Sequence, residues 1–351
     1  MKISLNFKAG VFVWIVTLLV TVVGSVSAQD TIAIIDAGSS GSRLWVYNVS
    51  PKNGTVEVLF PKEKNKGKGP ALSTIQVDSL SIRSFLASIT QNTGIKDEIP
   101  LYVLATAGMR MIPKKADSIY NIMNRLKEDH RKFNECFKLD TAMTISGRYE
   151  GFYAWLAANA KAGKLTVENK KLAIRTDSIT QGILEIGGAS MQVTFAANDE
   201  CVIDTVYRDN LGGIYTKSYL HYGVDQIFDR LGTQLDTICL TKSLDSIDKL
   251  YNDDMLFIGL SKPIEKVFEK NKQTNKYSDI GLNMIDQNKE RQYDCRDNYH
   301  PATNAVYIDW VVNQFGLGNK LYKSGKNSDW TEGAALDIII NEKQPEAFYN
   351  N

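Results

Sequence analysis

The sequence lacks an excess of charge of either sign, and it has few histidines and no clustered cysteines. Its 41 Lys and Arg residues balance 40 Asp and Glu residues, which leaves a formal net charge of +1. Proteins that bind nucleic acid by neutralising phosphates are usually basic, so this class is not supported. The 3 histidines are isolated from one another and form no metal triad, and no Cys-x-x-Cys pair suits zinc.

The first residues have the pattern of a secretory signal. Lys2 and Lys8 precede an uncharged apolar run over 9–23, and small residues follow up to Ala28. This pattern predicts cleavage after Ala28 and a secreted or periplasmic protein. An uncleaved membrane anchor is the alternative, because the uncharged stretch approaches the roughly 20 residues that span a bilayer.

The predicted signal bears on the state of the cysteines, because exported proteins often contain disulfides. In an exported chain an even number of cysteines suggests disulfides, and free buried thiols are the alternative. The sequence does not choose among the three pairings that 4 cysteines allow. The residues concerned are Cys136, Cys201, Cys239 and Cys295.

The stretch 32–43 contains a short apolar run, a carboxylate and a Gly/Ser loop that ends in an arginine. This order is typical of a buried strand that leads into a phosphate-binding loop, although a plain Gly/Ser turn is the alternative. Gly38 and Gly41 permit positive φ, so backbone N–H groups could converge on an anion beside the Arg43 guanidinium. Asp36 could hold a hydrated divalent cation. The hydroxyls that could add hydrogen bonds belong to Ser39, Ser40 and Ser42.

The same order of features returns in the second half of the chain. The apolar run 182–184 precedes Glu185, the turn 187–190 and a β-rich segment that ends at Phe195. A chain of 351 residues with 43% hydrophobic content is long enough for two domains. The doubled unit therefore predicts a nucleotide cleft between two related α/β domains. The polar, lysine-rich stretch 161–177 is the predicted boundary.

Hydrophobic periodicity predicts the remaining elements. A strand over 101–104 leads into a second small-residue turn, 105–110, and Glu150 lies at or near the first turn of a helix. The other predicted strands are 44–49 and 55–60, and the other predicted helices are 77–89, 117–133, 218–231, 307–315 and 329–340.

Five stretches follow one another along the chain in a characteristic order, namely 36–43, 105–110, 147–159, 185–195 and 330–336. Together they resemble the signature regions of the apyrase family, the nucleoside triphosphate diphosphohydrolases of the actin/hexokinase-like superfamily. The resemblance implies an α/β fold with two related actin-like (RNase H-like) domains and an interdomain nucleotide cleft. It divides the chain into a signal peptide at 1–28, an N-terminal domain of 29–160 plus 325–351, and a C-terminal domain of 161–324.

The resemblance also implies catalytic roles. Glu150 would be the general base, Ser190 would position the attacking water, and Gln192 would lie close by. Attack by water needs a carboxylate that accepts a proton, and phosphoryl hydrolysis otherwise needs positioning and charge neutralisation. A first-turn Glu that complements its helix dipole is the structural alternative for Glu150. Trp330 would pack at the metal–phosphate site or simply be buried.

Two phosphate loops and one cation are implied as well. Asp36 and Glu185 would hold a Ca²⁺ or Mg²⁺ ion through water, with Thr106 nearby. The family usually has Asp at the position of Glu185 and tends to be apolar at the position of Glu332, so this chain departs from the pattern twice. The residues that would bind phosphate are Ser39, Ser40, Gly41, Ser42, Arg43, Thr106, Ala107, Gly108, Gly187, Gly188 and Ala189.

The implied function is an exported, metal-dependent apyrase that hydrolyses nucleoside tri- and diphosphates to the monophosphate and phosphate. Its partners would be these nucleotides, without nucleic acid and without a stable membrane anchor once the signal is cleaved. The alternatives are a polyphosphate or guanosine-pentaphosphate phosphatase of the same superfamily, or a non-catalytic nucleotide-binding protein. Tyr293, Tyr299 and Tyr307 are unranked candidates for stacking on the base.

Overall fold

The computed structural model describes residues 30–63, 66–128, 133–198, 204–227, 254–260, 264–265, 276, 301–323 and 329–348. The predicted signal segment, Cys201, Cys239, Cys295, Tyr293 and Tyr299 lie outside these residues. Cys136 forms no disulfide with another described residue, so the cysteine pairing stays a prediction. In the described part of the chain, no helix is long and apolar enough to cross a membrane.

Two six-stranded sheets form the framework. The strands of the first sheet are β1 (Thr31–Ala37), β2 (Ser42–Val49), β3 (Val56–Phe60), β4 (Lys68–Gly69), β5 (Ile99–Ala105) and β6 (Phe137–Thr144). A separate hairpin consists of β7 (Leu165–Glu168) and β8 (Lys171–Ile174). The strands of the second sheet are β9 (Gly182–Ile186), β10 (Ser190–Ala196), β11 (Thr205–Arg208), β12 (Gly212–Leu220), β13 (Phe257–Leu260) and β14 (Leu321–Lys323).

The two sheets have related topologies. The first has the order β3-β2-β1-β5-β6, with β4 beside β2, and the second has the order β11-β12-β10-β9-β13-β14. In each sheet, antiparallel neighbours lie on one side of a central strand, which is β1 or β9. Parallel neighbours lie on the other side of that strand. The prediction of an α/β chain with two related units is therefore confirmed.

Helices cover the sheets and explain why the central strands are apolar on both faces. The helices are α1 (Ser79–Thr90), α2 (Ala107–Arg110), α3 (Pro113–Leu126), α4 (Gly147–Lys161), α5 (Pro301–Gln314) and α6 (Trp330–Ile340). In β1, Ala33 and Ile35 share a core with α1 and α3. Ile32 and Ile34 point to the other face and share a core with α4 and α6. A third core lies between the second sheet and α5.

Helix α4 lies between the two halves. A Cβ built on Gly333 of α6 would overlap the backbone of Tyr153, so α6 and α4 are in direct contact. A Cβ on Gly151 would lie 2.6 Å from the hydroxyl oxygens of Thr194 and Thr216, which belong to β10 and β12. Glycine therefore permits close approach on both sides of this helix. Helix α4 is therefore packed closely against α6 on one side and against the second sheet on the other.

The structure adds to one sequence prediction and corrects another. The stretch 161–177 contains the β7–β8 hairpin, while its role as a boundary stays a prediction. The predicted helix 218–231 is wrong at its start, because 218–220 completes β12. Ser218 contacts Gly147 of α4, and Thr216 lies on the same face of β12. Pairing with β10 and β11 therefore prevailed over a helical spacing of apolar residues.

The opening loop also differs from expectation in its backbone. Neither Gly38 nor Gly41 has a positive φ. A Cβ on Gly38 would lie 3.1 Å from the Gly41 carbonyl oxygen, and one on Gly41 would lie 3.3 Å from the Gly69 carbonyl oxygen. Close packing of the backbone therefore makes small residues necessary here, instead of a left-handed conformation.

Candidate active site

The β1–β2 turn and the β9–β10 turn are equivalent hairpins. In the first hairpin Asp36 is opposite Arg43, and in the second hairpin Glu185 is opposite Gln192. Because side chains alternate along a strand, each pair lies on one face of its sheet. In both sheets this face belongs to the core around α4. The two hairpins therefore direct their polar pairs toward the same helix.

The two hairpin loops meet the second small-residue turn at one point. A Cβ built on Gly188 would lie 2.8 Å from the Ser39 hydroxyl oxygen and would overlap the carboxylate of Asp225. A Cβ built on Gly108 would lie 2.8 Å from the Ser39 Cα. Glycine is thus needed at position 108, where the neighbour is backbone, and it allows the Ser39 and Asp225 side chains to approach position 188 closely. Ser39 lies where segments from both halves of the chain come together.

Glu150 lies in the first turn of α4 because Ser146 caps this helix. The Tyr149 N–H donates to the Ser146 hydroxyl at 3.3 Å. One oxygen of Glu150, Oε2, accepts hydrogen bonds from Arg110 Nη2 at 2.8 Å and from Gln192 Nε2 at 3.1 Å. Both partners of the ion pair are buried, so removing either one would leave a poorly solvated charge. Groups from both halves therefore fix the Glu150 carboxylate.

Ser190 and Gln192 complete this hydrogen-bond network. The Ser190 hydroxyl oxygen accepts from Arg110 Nη2 at 3.0 Å and from Gln192 Nε2 at 2.8 Å. The Gln192 amide also donates to the Ser218 hydroxyl at 3.3 Å. Gln192 is opposite Glu185 on one side and Ser218 on the other, so strand alternation forms a polar row facing α4. The hydroxyl of Ser190 can still donate a hydrogen bond of its own.

Several carboxylates share this region and repel one another. Burial raises the pKa of Asp36, and the charges of Asp329 and Glu150 raise it further, whereas Arg43 lowers it. Burial also raises the pKa of Glu185, and the other three carboxylates add to this effect. Such mutual repulsion in a water-poor site is relieved when a cation binds.

The donor set fits a hydrated divalent cation. The Oε2 atom of Glu185 is buried and has no hydrogen-bond partner among the described residues. Carboxylate oxygens suit both Mg²⁺ and Ca²⁺, and Mg²⁺ usually keeps several of its waters. Within the described ranges, no three Asp, Glu, His or Cys side chains form a group that could hold an ion directly. The family resemblance implies that Asp36 and Glu185 would hold such a cation through water.

The predicted phosphate-binding residues lie in different environments. The Arg43 guanidinium stacks on Trp45 at 5.4 Å from the ring centroid, and Ser40 is exposed at the loop tip. Ser42 lies on the opposite face of β2 from Arg43 and is buried. The Ser42 hydroxyl is thus not directed with Arg43 toward a common anion. Thr106 donates its N–H to the last carbonyl of β1 at 3.3 Å. Gly41, Ala107, Gly187 and Ala189 lie in the same turns.

Three further predicted residues are buried. Trp330 is 6% exposed and belongs to the core around α4. Glu332 accepts a hydrogen bond from Lys161 Nζ at 2.6 Å, which accommodates this departure from the family pattern. Burial raises the pKa of Glu332 to about 7, although Lys161 opposes the shift. Tyr307 is fully buried and donates to the Tyr222 carbonyl, so its candidacy for stacking on a base is wrong.

Sequence reasoning missed three residues of this region. Arg110 closes the second small-residue turn as Arg43 closes the first loop, and this similarity could have identified it. Asp329 caps α6 by accepting from the Thr331 N–H at 3.0 Å, a spacing that the sequence does contain. Ser218 carried no such signal, because its position opposite Gln192 depends on the pairing of β12 with β10.

The doubled sheet, the paired loops and the buried carboxylates between them define a two-unit α/β protein with an acidic, water-poor site between its halves. The sequence profile of the GDA1/CD39 (nucleoside phosphatase) family matches residues 27–332. The chain therefore belongs to this family, and the resemblance that the five stretches indicated is confirmed.

Individual relatives agree with this assignment. Ectonucleoside triphosphate diphosphohydrolase 1 of Mus musculus is 26% identical over 346 residues, which cover 88% of this chain and 66% of the relative. Nucleoside-diphosphatase mig-23 of Caenorhabditis elegans is 26% identical over 267 residues, which cover 66% of this chain and 46% of the relative. The chain thus spans about two thirds or less of the length of these relatives.

A solved structure supports the fold alone. The Ppx/GppA family member of Aquifex aeolicus aligns with a TM-score of 0.50 at 15% sequence identity. The alignment covers 90% of this chain and 99% of that chain, so both halves contribute to the likeness.

Proposed function

We propose that this protein is an exported, metal-dependent hydrolase that converts nucleoside tri- and diphosphates to the monophosphate and phosphate. The observation that carries the proposal is the Glu150 carboxylate, bound by Arg110 and Gln192 where the two hairpin loops meet. The names of the relatives, a triphosphate diphosphohydrolase and a nucleoside-diphosphatase, support this substrate class. Export rests on the N-terminal sequence pattern.

In this proposal Glu150 accepts the proton of the attacking water, and Ser190 and Gln192 orient that water. Arg110 holds the base in place, and Arg43 neutralises phosphate charge from the first loop. Phosphoryl hydrolysis requires positioning and electrostatic stabilisation more than covalent chemistry. A positioned general base contributes about 10²- to 10⁴-fold to such a rate.

Asp36 and Glu185 would hold Mg²⁺ or Ca²⁺ through water, with the charge of Asp329 nearby. The GDA1/CD39 family is associated with divalent cations in general, which leaves the choice between the two ions open. When bound, such an ion supplies positive charge to phosphate oxygens. The unpartnered Glu185 oxygen supports this assignment, because it could accept a hydrogen bond from a water of the cation's shell.

The decisive experiment measures phosphate release by the purified chain from ATP, ADP, AMP and polyphosphate, each with Mg²⁺, Ca²⁺ or EDTA. We expect cation-dependent release from ATP and ADP and none from AMP. Release from polyphosphate alone would favour the polyphosphatase alternative, and nucleotide binding without any release would favour the non-catalytic one. A Glu150→Gln preparation made in parallel controls for contaminating phosphatases.

Export is tested separately by determining the N-terminus of the protein recovered outside the cytoplasm. A mature chain that begins at Gln29 is expected. A membrane-bound product that still begins at Met1 would favour the uncleaved anchor.

A further inference from the structure

Arg208, the last residue of β11, connects the second sheet to helix α6. Its Nε donates to Asp337 Oδ1 at 3.0 Å, and its Nη2 donates to Asp337 Oδ2 at 2.7 Å. Asp337 is fully buried, and the Arg208 side chain is 10% exposed. This two-point geometry is specific to arginine, because the planar guanidinium matches the carboxylate and a lysine ammonium does not.

The same guanidinium lies against residues that flank Glu150. The Arg208 Cζ is 5.3 Å from the ring centroid of Tyr149 and 5.1 Å from that of Phe152. Its Nη2 also donates to the Tyr149 hydroxyl at 3.2 Å. Cation–π contacts of this kind are stronger where water is excluded. Arg208 therefore holds the first turn of α4 at a second point, in addition to the Arg110–Glu150 ion pair.

Asp337 is itself fixed in place. Its Oδ1 also accepts from Asn341 Nδ2 at 2.7 Å, and the Asn341 side-chain oxygen accepts from the Leu172 N–H at 2.9 Å. The carboxylate that binds Arg208 is thus tied to the end of α6 and to β8. Because every member of this network is hydrogen-bonded, the network can hold the turn of α4 in one position.

We propose that Arg208 is a positioning residue for Glu150, which acts by holding Tyr149 and Asp337 together. This sets the first turn of α4 against the second sheet, where the Glu150 carboxylate meets Ser190 and Gln192. The inference rests on the proposed role of Glu150. Since a misplacement of about 1 Å costs up to about 10²-fold in rate, a looser turn lowers turnover without removing any group that contacts phosphate.

The test compares two variants of the full chain with a matched control. Arg208→Lys keeps the charge but loses the two-point bond, and we expect kcat for ATP to fall about 10- to 100-fold with KM within about twofold. Tyr149→Phe removes one hydroxyl, and a smaller fall in kcat is expected. Arg175→Lys alters an exposed two-point pair with Asp177, at 3.0 and 2.9 Å, and should leave kcat unchanged. An unchanged kcat per folded molecule in Arg208→Lys would overturn the inference.

Amide hydrogen exchange gives a readout that needs no activity. In Arg208→Lys, exchange over 147–152 should accelerate by about tenfold more than exchange over 82–89 in α1, since local opening differs between regions. Equal acceleration in both helices would indicate general destabilisation and overturn the inference. If the parent chain hydrolyses no nucleotide, the proposed function fails, while the exchange result still decides whether Arg208 holds this turn. If Arg208→Lys does not fold, Tyr149→Phe carries both measurements, and no change in either would be fatal to the inference.

Discussion

The two hairpin loops are equivalent in topology but differ in charge. By strand register, Asp36 and Arg43 of the first hairpin correspond to Glu185 and Gln192 of the second. The first hairpin thus has a positively charged side chain of its own, Arg43, whereas the second has the neutral amide of Gln192 at the matching position. Arg110, from the first half of the chain, donates to the serine of the second loop at 3.0 Å and supplies a cation there from outside the hairpin.

The repeated sheet topology therefore fixes the positions of the two loops, whereas their side chains determine their different chemical roles. Cationic groups come from the first loop and from the turn that ends at Arg110. A neutral donor of the second hairpin, Gln192, contacts Glu150. Under the proposed function, phosphate charge is balanced mainly from the first half, and the attacking water is oriented from the second. Single substitutions in either hairpin or in the residues around Glu150 should alter this asymmetry.

The largest effect is expected from removing the carboxylate between the two hairpins. Glu150→Gln keeps the size of the side chain but cannot accept the proton of water, so kcat should fall about 10²- to 10⁴-fold with nucleotide affinity nearly retained. Steady-state kinetics and a binding titration with a non-hydrolysable ATP analogue test this. Glu332→Gln is the matched control, because Glu332 is also a buried glutamate paired with a cation. Equal activity of the two variants would show that Glu150 is not the general base.

Removing Arg110, the positively charged side chain that contacts the second loop, should have the next largest effect. Arg110→Met leaves the Glu150 carboxylate buried without its ion-pair partner, which costs about 3–5 kcal/mol of unfolding free energy. We expect a loss of kcat of roughly 10²-fold, because an unsupported base is displaced. Urea denaturation and kinetics measure the two effects. The double variant with Glu150→Gln should regain much of the stability but none of the activity; a double variant no more stable than Arg110→Met would contradict the ion-pair explanation.

Making the first hairpin resemble the second tests whether the Arg43 side chain binds phosphate. Arg43→Gln should raise KM for ATP and lower kcat/KM by about tenfold, which corresponds to about 1.4 kcal/mol of lost charge-assisted binding. This prediction holds whether the loss of kcat/KM is larger for ATP or for ADP. Arg175→Gln, on an exposed pair, serves as the control. Unchanged kinetics in Arg43→Gln would show that the two hairpins do not differ in function at this position.

The reverse exchange makes the second hairpin resemble the first. Glu185→Asp withdraws the carboxylate by about one bond length. The concentration of Mg²⁺ or Ca²⁺ for half-maximal activity should rise by about tenfold, the lower end of the roughly 10- to 100-fold change typical of outer-shell groups, because the carboxylate moves by only about one bond length. Metal titrations of phosphate release measure this shift, with Glu168→Asp as an exposed control. An identical metal dependence would mean that Glu185 does not take part in cation binding.

The smallest effect on activity, with a clear effect on stability, is expected at Glu332. Burial raises the pKa of Glu332 from its ordinary value of 4.5 to about 7 in the folded protein. The folded state therefore holds an extra proton between these values, and stability decreases as pH rises from about 4.5 to about 7 by at most about 3 kcal/mol. Glu332→Gln should abolish this decrease and be at least as stable as the parent at pH 8. Urea denaturation at pH 5 and pH 8 compares the two chains, and a variant that is less stable at pH 8 would show that the Lys161 pair outweighs burial.

Local sequence was sufficient for several parts of the candidate site. The apolar runs that end at Asp36 and Glu185 identified both hairpins, because each run, carboxylate and turn lie within a few consecutive residues. The position of Glu150 near a helix start could be predicted because Ser146 caps that helix. Strand register, in contrast, does not follow from local sequence. The strand state of 218–220, and with it the contact of Ser218 with Gln192, follows from pairing between separate segments.

By itself, the sequence determined the α/β class, the two related units and the family, because each rests on contiguous motifs and their order. Tertiary structure alone decided which side chains meet between these units. Glu150 meets Arg110 across 40 residues of chain and Gln192 across 42, and Arg208 meets Asp337 across 129. These contacts depend on how α4 and α6 pack against each other and against the second sheet. The two hairpins that looked alike as sequence are thus distinguished by residues that lie far from them in the chain.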